Sequence, residues 1–286
     1  MKKAKYFYLL RRGVIGGGGG AAFDSDYQAV LNRSAALGYS APTQASKELQ
    51  NTLVTNLKTA GVWDKLDLLY VFAFEGGDSD FATLNWKAPN NFQLTKTNSP
   101  TFTEKEGFSQ SGTASLDTGF VLDTVDASRK YTRTDAGIFV AFPTMSTITV
   151  INNRPFGTET TTNYLSPRID VNGVSTNNRI WFNSSSKHSG YDVEKKDNTI
   201  HFYNRTSSTN VNQRNTDLLN DNTNVSAATD VVNTALVNEQ LLLLRYSLSY
   251  LETTANMGIF ALGSSLTTAE MEAVETAWYT NYFTSL

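Results

Sequence analysis

Nine short apolar runs lie between Asp67 and Gly263: "DLLYVFAF", "DFATLNW", "TASLDTGFV", "AGIFVAF", "STITVI", "NRIWF", "TIHFYN", "QLLLLRY" and "MGIFALG". Each is too short for a typical helix, and clusters of Gly, Pro, Asn, Asp and Ser separate them. That pattern predicts an antiparallel all-β sandwich or barrel. "DLLYVFAF" and "QLLLLRY" are apolar on both faces and read as inner strands, covered on the second side by helices or a neighbouring chain. Residues 205 to 238 are too polar for an inner strand and too long for an ordinary hairpin loop, so edge strands and excursions are expected there.

Helical signals frame this β region. Behind Asp24, a candidate N-cap, Tyr27, Val30, Leu31, Ser34 and Ala35 recur at helical spacing, and Gly38 supplies a stop. A second helix starts near Pro42 or Thr43, aligns Leu49, Leu53 and Leu57, and ends at Gly61. At the other end Thr267 and Glu270 form a capping box, with Leu266 placed to staple Met271. Met271, Val274, Trp278 and Tyr282 then make one apolar stripe, which predicts a final helix packed on the sandwich.

Composition narrows the function. There are 36 Thr and 26 Asn with only 18% charged residues, as expected of a β-rich chain with long polar loops. A net charge of -3 on 24 basic and 27 acidic residues gives no broad footprint for nucleic acid. Cysteine is absent, which excludes disulfides and thiolate metal sites and leaves the redox compartment open. The apolar run "YFYLL" ends at Arg11 and Arg12, too short for the core of an export signal, and no window suits a membrane span. Neither export nor membrane insertion is expected.

The succession "DSDYQAVLNRSAALGY", "NTLVTNLKTAGVWDKLDLLYVFA", "GDSDFATLNW", "NSPTFTEKEGFSQSGTASLDTGF" and "FALGSSLTTAEMEAVETAW" resembles virion-associated proteins of tailed phages that infect Bacteroidota. The resemblance runs from about Asp24 to the C-terminus, is weakest over residues 125 to 240, and rests on structural rather than catalytic motifs. It implies a helical lead-in, a concanavalin A-like, laminin-G-like jelly roll and a place on the particle as a head or tail appendage. Physically, the same motifs are fold devices. Pro100 restricts Ser99 to extended geometry, Gly107 allows a turn before Phe108, and Ala114, Leu116, Thr118 and Phe120 share one face.

Catalytic chemistry is sparse. A retaining glycosidase needs two carboxyls about 5 to 5.5 Å apart, met on one strand by acids at alternate positions. The acid-x-acid-bearing strand of glucanases on the concanavalin A-like fold is missing; "FEGGDSDF" offers Glu75, Asp78 and Asp80, but its glycines and spacing read as a turn. The same loop offers Asp78 and Asp80 as oxygen donors for Ca²⁺, against a solvated turn in which these carboxylates bond nearby backbone N–H groups. His188 and His201, the only histidines, lack companion ligands and are expected at the surface or a sheet edge. The glycines at 16 to 20 are not followed by Lys-Ser/Thr and do not make a nucleotide loop. "RIWFNSSSKHSGYD" brings Trp181, Asn183, Tyr191 and Asp192 as candidate sugar contacts, against a core role for Trp181.

The expected molecule is therefore mainly β and non-enzymatic, with no required cofactor. Residues 1–20 form an anchoring arm, 21–63 a helical hairpin, and 64–286 an antiparallel jelly-roll β-sandwich closed by a C-terminal helix. In the arm, Tyr6, Phe7, Tyr8, Arg11 and Arg12 are residue types that dominate interface hot spots, and the glycines act as tether or as backbone threaded through a narrow crevice. With the resemblance, the expected partners are other virion proteins and further copies of the chain, a trimer by analogy to fibres. The expected location is the phage particle, after synthesis in the bacterial host cytoplasm. A host-surface glycan is the alternative partner, and polysaccharide degradation the competing activity.

Overall fold

Both lead-in helices start and stop where side chains and glycines can satisfy their ends. A computed structural model describes residues 22–110, 113–123, 126, 128–145, 155–158, 164–168, 179–184, 188–189, 197–220, 222–229, 238–246, 249–250 and 255–286. Helix α1 (Ser25–Leu37) is capped by Asp24, whose carboxylate accepts the Asp26 N–H at 3.0 Å, and ends on Gly38 at φ 74°. Helix α2 (Gln44–Thr59) is capped by the Thr43 hydroxyl, which accepts the Ser46 N–H at 3.2 Å. The hairpin is tied twice. Lys58 Nζ lies 2.6 Å from both the Asp24 and Asp26 carboxylates, and the Tyr27 hydroxyl donates to Gln50 Oε1 at 2.5 Å.

The strands are β1 (Leu66–Val71), β2 (Thr95–Thr97), β3 (Thr101–Thr103), β4 (Gly107–Ser109), β5 (Ser115–Val121), β6 (Ala136–Phe142), β7 (Phe156–Thr158), β8 (Tyr164–Arg168) and β9 (Arg179–Ser184). They continue as β10 (His188–Ser189), β11 (Thr199–Arg205), β12 (Asn210–Asp217), β13 (Asn222–Thr229), β14 (Gln240–Leu243), β15 (Arg245–Tyr246), β16 (Ser249–Tyr250) and β17 (Ile259–Gly263). A six-stranded antiparallel sheet has the order β1-β17-β6-β11-β12-β13, and a four-stranded antiparallel sheet the order β2-β5-β14-β7. Smaller sheets are β10-β9-β8, β15-β16 and β3-β4.

The two main sheets face each other across aromatic rings. Phe156 on β7 meets Tyr203 on β11 at 5.9 Å and Phe260 on β17 at 5.3 Å between centroids. The Tyr70 hydroxyl on β1 donates to the Phe92 carbonyl at 2.6 Å, and Phe92 packs edge-on against Phe120 of β5. As the alternation predicts, Ala114, Leu116, Thr118 and Phe120 are all buried. The opposite face of the six-stranded sheet carries Asn204, whose amide donates to the Leu266 carbonyl at 3.1 Å at the entry to α3 (Thr268–Glu275). There Thr267 and Glu270 complete the capping box, and Met271, Val274, Trp278 and Tyr282 are buried. The Tyr282 hydroxyl donates to the Ala73 carbonyl at 2.5 Å, fastening the last turns over the start of the sheet.

Several expectations are corrected. "DFATLNW" is a 3-10 turn (Phe81–Thr83) and a strap, not a strand. Asp78 Oδ1 accepts the Asp80 and Phe81 N–H groups and starts the turn; Leu69 N–H then donates to Asn85 Oδ1 at 3.0 Å and Trp86 N–H to the Leu69 carbonyl at 2.8 Å. β1 ends the sheet order rather than lying inside it, and those two bonds cover its outer edge with the strap. "QLLLLRY" is an inner strand only through Leu243; Leu244, at φ 64°, donates its N–H to the Pro155 carbonyl and turns the chain into β15.

Ser99 is not extended. It and Asn98 have φ of 55° and 54°, because the chain must leave β2 and enter the separate β3–β4 hairpin within three residues. A proline ordinarily pushes the residue before it to extended geometry, so the tight connection overrides that preference at Ser99. Gly107 behaves as expected, at φ 100°, and for a second reason: a Cβ there would sit 2.0 Å from the Met257 carbonyl oxygen. Phe108 and Met257 exchange both backbone hydrogen bonds at that contact.

Residues 205 to 238 hold the largest correction. They supply β12, which lies inside the sheet between β11 and β13, and β13, which ends the sheet order among the described residues. Arg214 and Thr216 are buried on β12 because both are paired with Glu275.

Candidate binding groove

Polar strand β12 and the entry to α3 enclose an open space on the outer face of the six-stranded sheet. The cavity measures about 520 Å³ and is bounded by Thr206, Asn212, Arg214 and Val225 on the strand side, and by Ser265, Leu266, Thr267, Thr268 and Met271 on the helix side, with Lys65 at one end. Register explains the strand wall. Arg214 is paired with Val225 across β12 and β13, and Asn212 lies two residues from Arg214 on the same face.

One group of side chains builds the walls. Arg214 Nε and Nη2 donate to the two oxygens of Glu275 at 2.8 and 2.9 Å, and the Thr216 hydroxyl donates to the same carboxylate at 2.5 Å. This planar pair joins β12 to α3. Lys65 Nζ donates to Glu270 Oε2 at 2.8 Å. Burial opposes the charge on Glu270, but hydrogen bonds from Lys65 and from the Thr267 backbone and hydroxyl outweigh it and hold the carboxyl below its ordinary range. The charged groups around the groove are therefore joined as ion pairs.

A second group faces the space without protein partners. Thr206, Asn212, Ser265 and Thr268 make no side-chain hydrogen bonds among the described residues, while Leu266 and Met271 provide an apolar floor. Val225, 65% exposed, adds an apolar rim. Hydroxyls and an amide beside apolar surface can bind a neutral polyhydroxylated ligand: hydroxyls exchange hydrogen bonds while C–H faces lie on the floor. None of these residues stood out in the sequence, because the stretch that holds Thr206 and Asn212 reads as polar loop.

The sequence-derived candidates fall elsewhere. Tyr6, Phe7, Tyr8, Arg11 and Arg12 lie outside the described residues, as do Tyr191 and Asp192. Trp181 and Asn183 belong to β9, with Trp181 opposite Ser166 of β8 and Asn183 at a register shift. In the acidic loop, Asp78 accepts N–H groups from Ser40, Asp80 and Phe81, and Asp80 pairs with Lys96 at 2.5 Å. Glu75 lies 3.3 Å from Lys105. These contacts are those of a turn that also ties the loop to the lead-in helices. Among the described residues no group of three or more His, Asp or Glu is arranged to hold a metal ion.

His188 lies on β10, which ends the order of its sheet among the described residues. His201 corrects the surface expectation: it is fully buried on β11, its ring edge-on to Phe142 and stacked with Tyr203, and burial lowers its pKa to about 4. A neutral imidazole fits an apolar strand where a protonated one does not.

No protein-family model and no curated protein matches the chain. Among solved structures, the binding domain of botulinum neurotoxin serotype D aligns with a TM-score of 0.52 at 8% identity, over 76% of this chain and 52% of that one. The chain thus spans about half the length of that domain. Domain 4 of an extracellular arabinanase from Geobacillus stearothermophilus, in complex with arabinotriose, aligns with a TM-score of 0.38 at 12% identity, over 73% of this chain and 86% of that one. Arcelin-5, a lectin-like defense protein from Phaseolus vulgaris, gives 0.40 at 10% identity, over 62% and 94%. At 8% identity the likeness to the neurotoxin domain is one of fold alone, and it agrees with the mainly β, antiparallel jelly-roll sandwich described above.

Proposed function

We propose that this chain is a non-catalytic binding and display subunit of a phage particle, whose β-sandwich presents the groove between β12, β13 and α3 to a neutral glycan. The observation that carries the binding reading is the division of side chains around that groove. Its acids and bases are joined as Lys65–Glu270 and Arg214–Glu275, while Thr206, Asn212, Ser265 and Thr268 line the space with no side-chain hydrogen bond among the described residues. The Glu275 carboxylate is engaged by Arg214 and Thr216, whereas the hydroxyls and the amide are left available for reversible binding.

The particle assignment rests on the sequence resemblance. In this reading residues 1–20 anchor the chain in a neighbouring virion protein through Tyr6, Phe7, Tyr8, Arg11 and Arg12, and several copies assemble together. The two parts are tested separately. A glycan array probed with the full chain is expected to give a saturable signal for neutral sugars, and an array without saturable signal overturns the binding reading. Deleting residues 1–20 is expected to abolish incorporation into particles; normal occupancy of the deletion variant overturns the anchoring reading. Turnover of capsule polysaccharide that disappears in Glu75→Gln or Asp78→Asn would establish the competing enzyme.

A further inference from the structure

Four buried polar atoms in the layer between the two main sheets make no hydrogen bond among the described residues. They are His201 Nδ1 and the Tyr203 hydroxyl on β11, Gln213 Oε1 on β12 and Thr158 Oγ1 on β7. All four residues are at most 3% exposed. Strand register places Tyr203 directly opposite Gln213 and His201 directly opposite Asn215, so three of these side chains share one patch of the six-stranded sheet. The His201 and Tyr203 rings stack at 6.4 Å, and Phe156, two residues before Thr158, packs on Tyr203 at 5.9 Å. Strand β7 therefore lies over this patch.

An unpartnered buried polar group costs about 1–3 kcal/mol, so four of them in one layer need a common explanation. Their chemistry is mixed. Tyr203 offers an O–H donor, Gln213 an acceptor, and Thr158 both. Neutral His201 contacts Thr199 Oγ1 through Nε2 at 3.1 Å and has the Asn215 side chain within hydrogen-bonding reach of its ring, and Nδ1 is an acceptor when Nε2 carries the proton. A cation requires acceptors alone and an anion donors alone. A neutral molecule that gives and takes hydrogen bonds matches the set, and the smallest is water, which buried sites hold through about three such bonds.

We propose that the layer between β7, β11 and β12 is a buried hydration site, in which ordered water joins Tyr203, Gln213, His201 and Thr158 and links the two sheets. Gln213 also borders the outer groove, but strand alternation puts its side chain on the face of β12 opposite Asn212 and Arg214, so failure of this site leaves the glycan reading, which uses Thr206, Asn212, Ser265 and Thr268, untouched.

Tyr203→Phe tests it, because that change removes one hydroxyl and keeps the ring that packs on Phe156. The expected result is a Tm lower by about 2–4 °C, together with the loss of at least one long-lived water counted by ¹⁷O relaxation dispersion on the full chain. A Tm that is unchanged or raised overturns the site, since deleting an unsatisfied hydroxyl is neutral or stabilising. A lower Tm with an unchanged count of long-lived waters overturns it as well. In Gln213→Leu combined with Tyr203→Phe, the expected Tm loss is smaller than the sum of the single losses, because the two side chains hold the same water; strict additivity contradicts the shared site.

Discussion

The six-stranded sheet has two unlike halves. Strands β1, β17 and β6 carry Leu68, Tyr70, Ile259, Phe260, Ile138 and Phe139, all buried, and their outer surface lies under the lead-in hairpin and the C-terminal turns. Strands β11, β12 and β13 carry Arg205, Gln213, Arg214, Asn215 and Thr216, mostly as buried as the first set, yet their outer surface opens onto the groove. The same register runs through both halves. The contrast teaches that two kinds of side-chain chemistry hold one sheet. Apolar burial supplies most of the stability on one side, whereas on the other, specific polar pairing permits burial and leaves hydroxyls and amides where a ligand can reach them.

The contrast is sharpest where a single change should hit one half alone. Trp278→Ala removes a ring that is 1% exposed and packs against Tyr282, Phe283 and the β17 entry at Gly258. The expected loss is about 3–5 kcal/mol, read from the urea midpoint. In the polar half, His201 provides a pH signature. Its folded pKa of about 4 lies below the unfolded value of about 6.5, so the unfolded chain takes up a proton that the fold refuses. Stability contributed by neutral His201 is whole above pH 6.5 and falls by about 3 kcal/mol as the pH drops through 4. Subtracting the pH profile of His201→Phe isolates that fall, and superimposable profiles would remove His201 from the account.

Smaller effects probe the join between strand and helix. Arg214→Ala strands the Glu275 carboxylate, which is 12% exposed, and an expected loss of about 2 kcal/mol should be largely recovered in the Arg214→Met, Glu275→Leu double variant. Failure of the double variant to recover would mean that the pair does more than offset its own burial. Thr267→Ala breaks the capping box at the groove's helical wall and should cost about 1 kcal/mol by thermal melting.

The two halves were also unequally legible. Helix ends were readable because a cap is a local matter: Asp24, Thr43, Thr267 and Glu270 act within three or four residues of their own position. Apolar strands such as β6 and β17 announce themselves by composition, as does the alternation of Ala114, Leu116, Thr118 and Phe120. The β12–β13 pair did not, because what permits the burial of Arg214 and Thr216 is Glu275, about sixty residues away. Long-range partners likewise turned "DFATLNW" into a strap and buried His201 against Phe142 and Tyr203. The groove was hidden for the same reason: its walls meet only when β12 and the entry to α3 are brought together.

The central claim is that the open polar half binds while the apolar half holds the fold. It is tested most directly by titrating neutral glycans against the full chain and against a Thr206→Ala, Asn212→Ala, Thr268→Ala variant, with urea midpoints measured in parallel. The account predicts at least a tenfold loss of affinity with an unchanged midpoint. Undiminished affinity in the variant would contradict it.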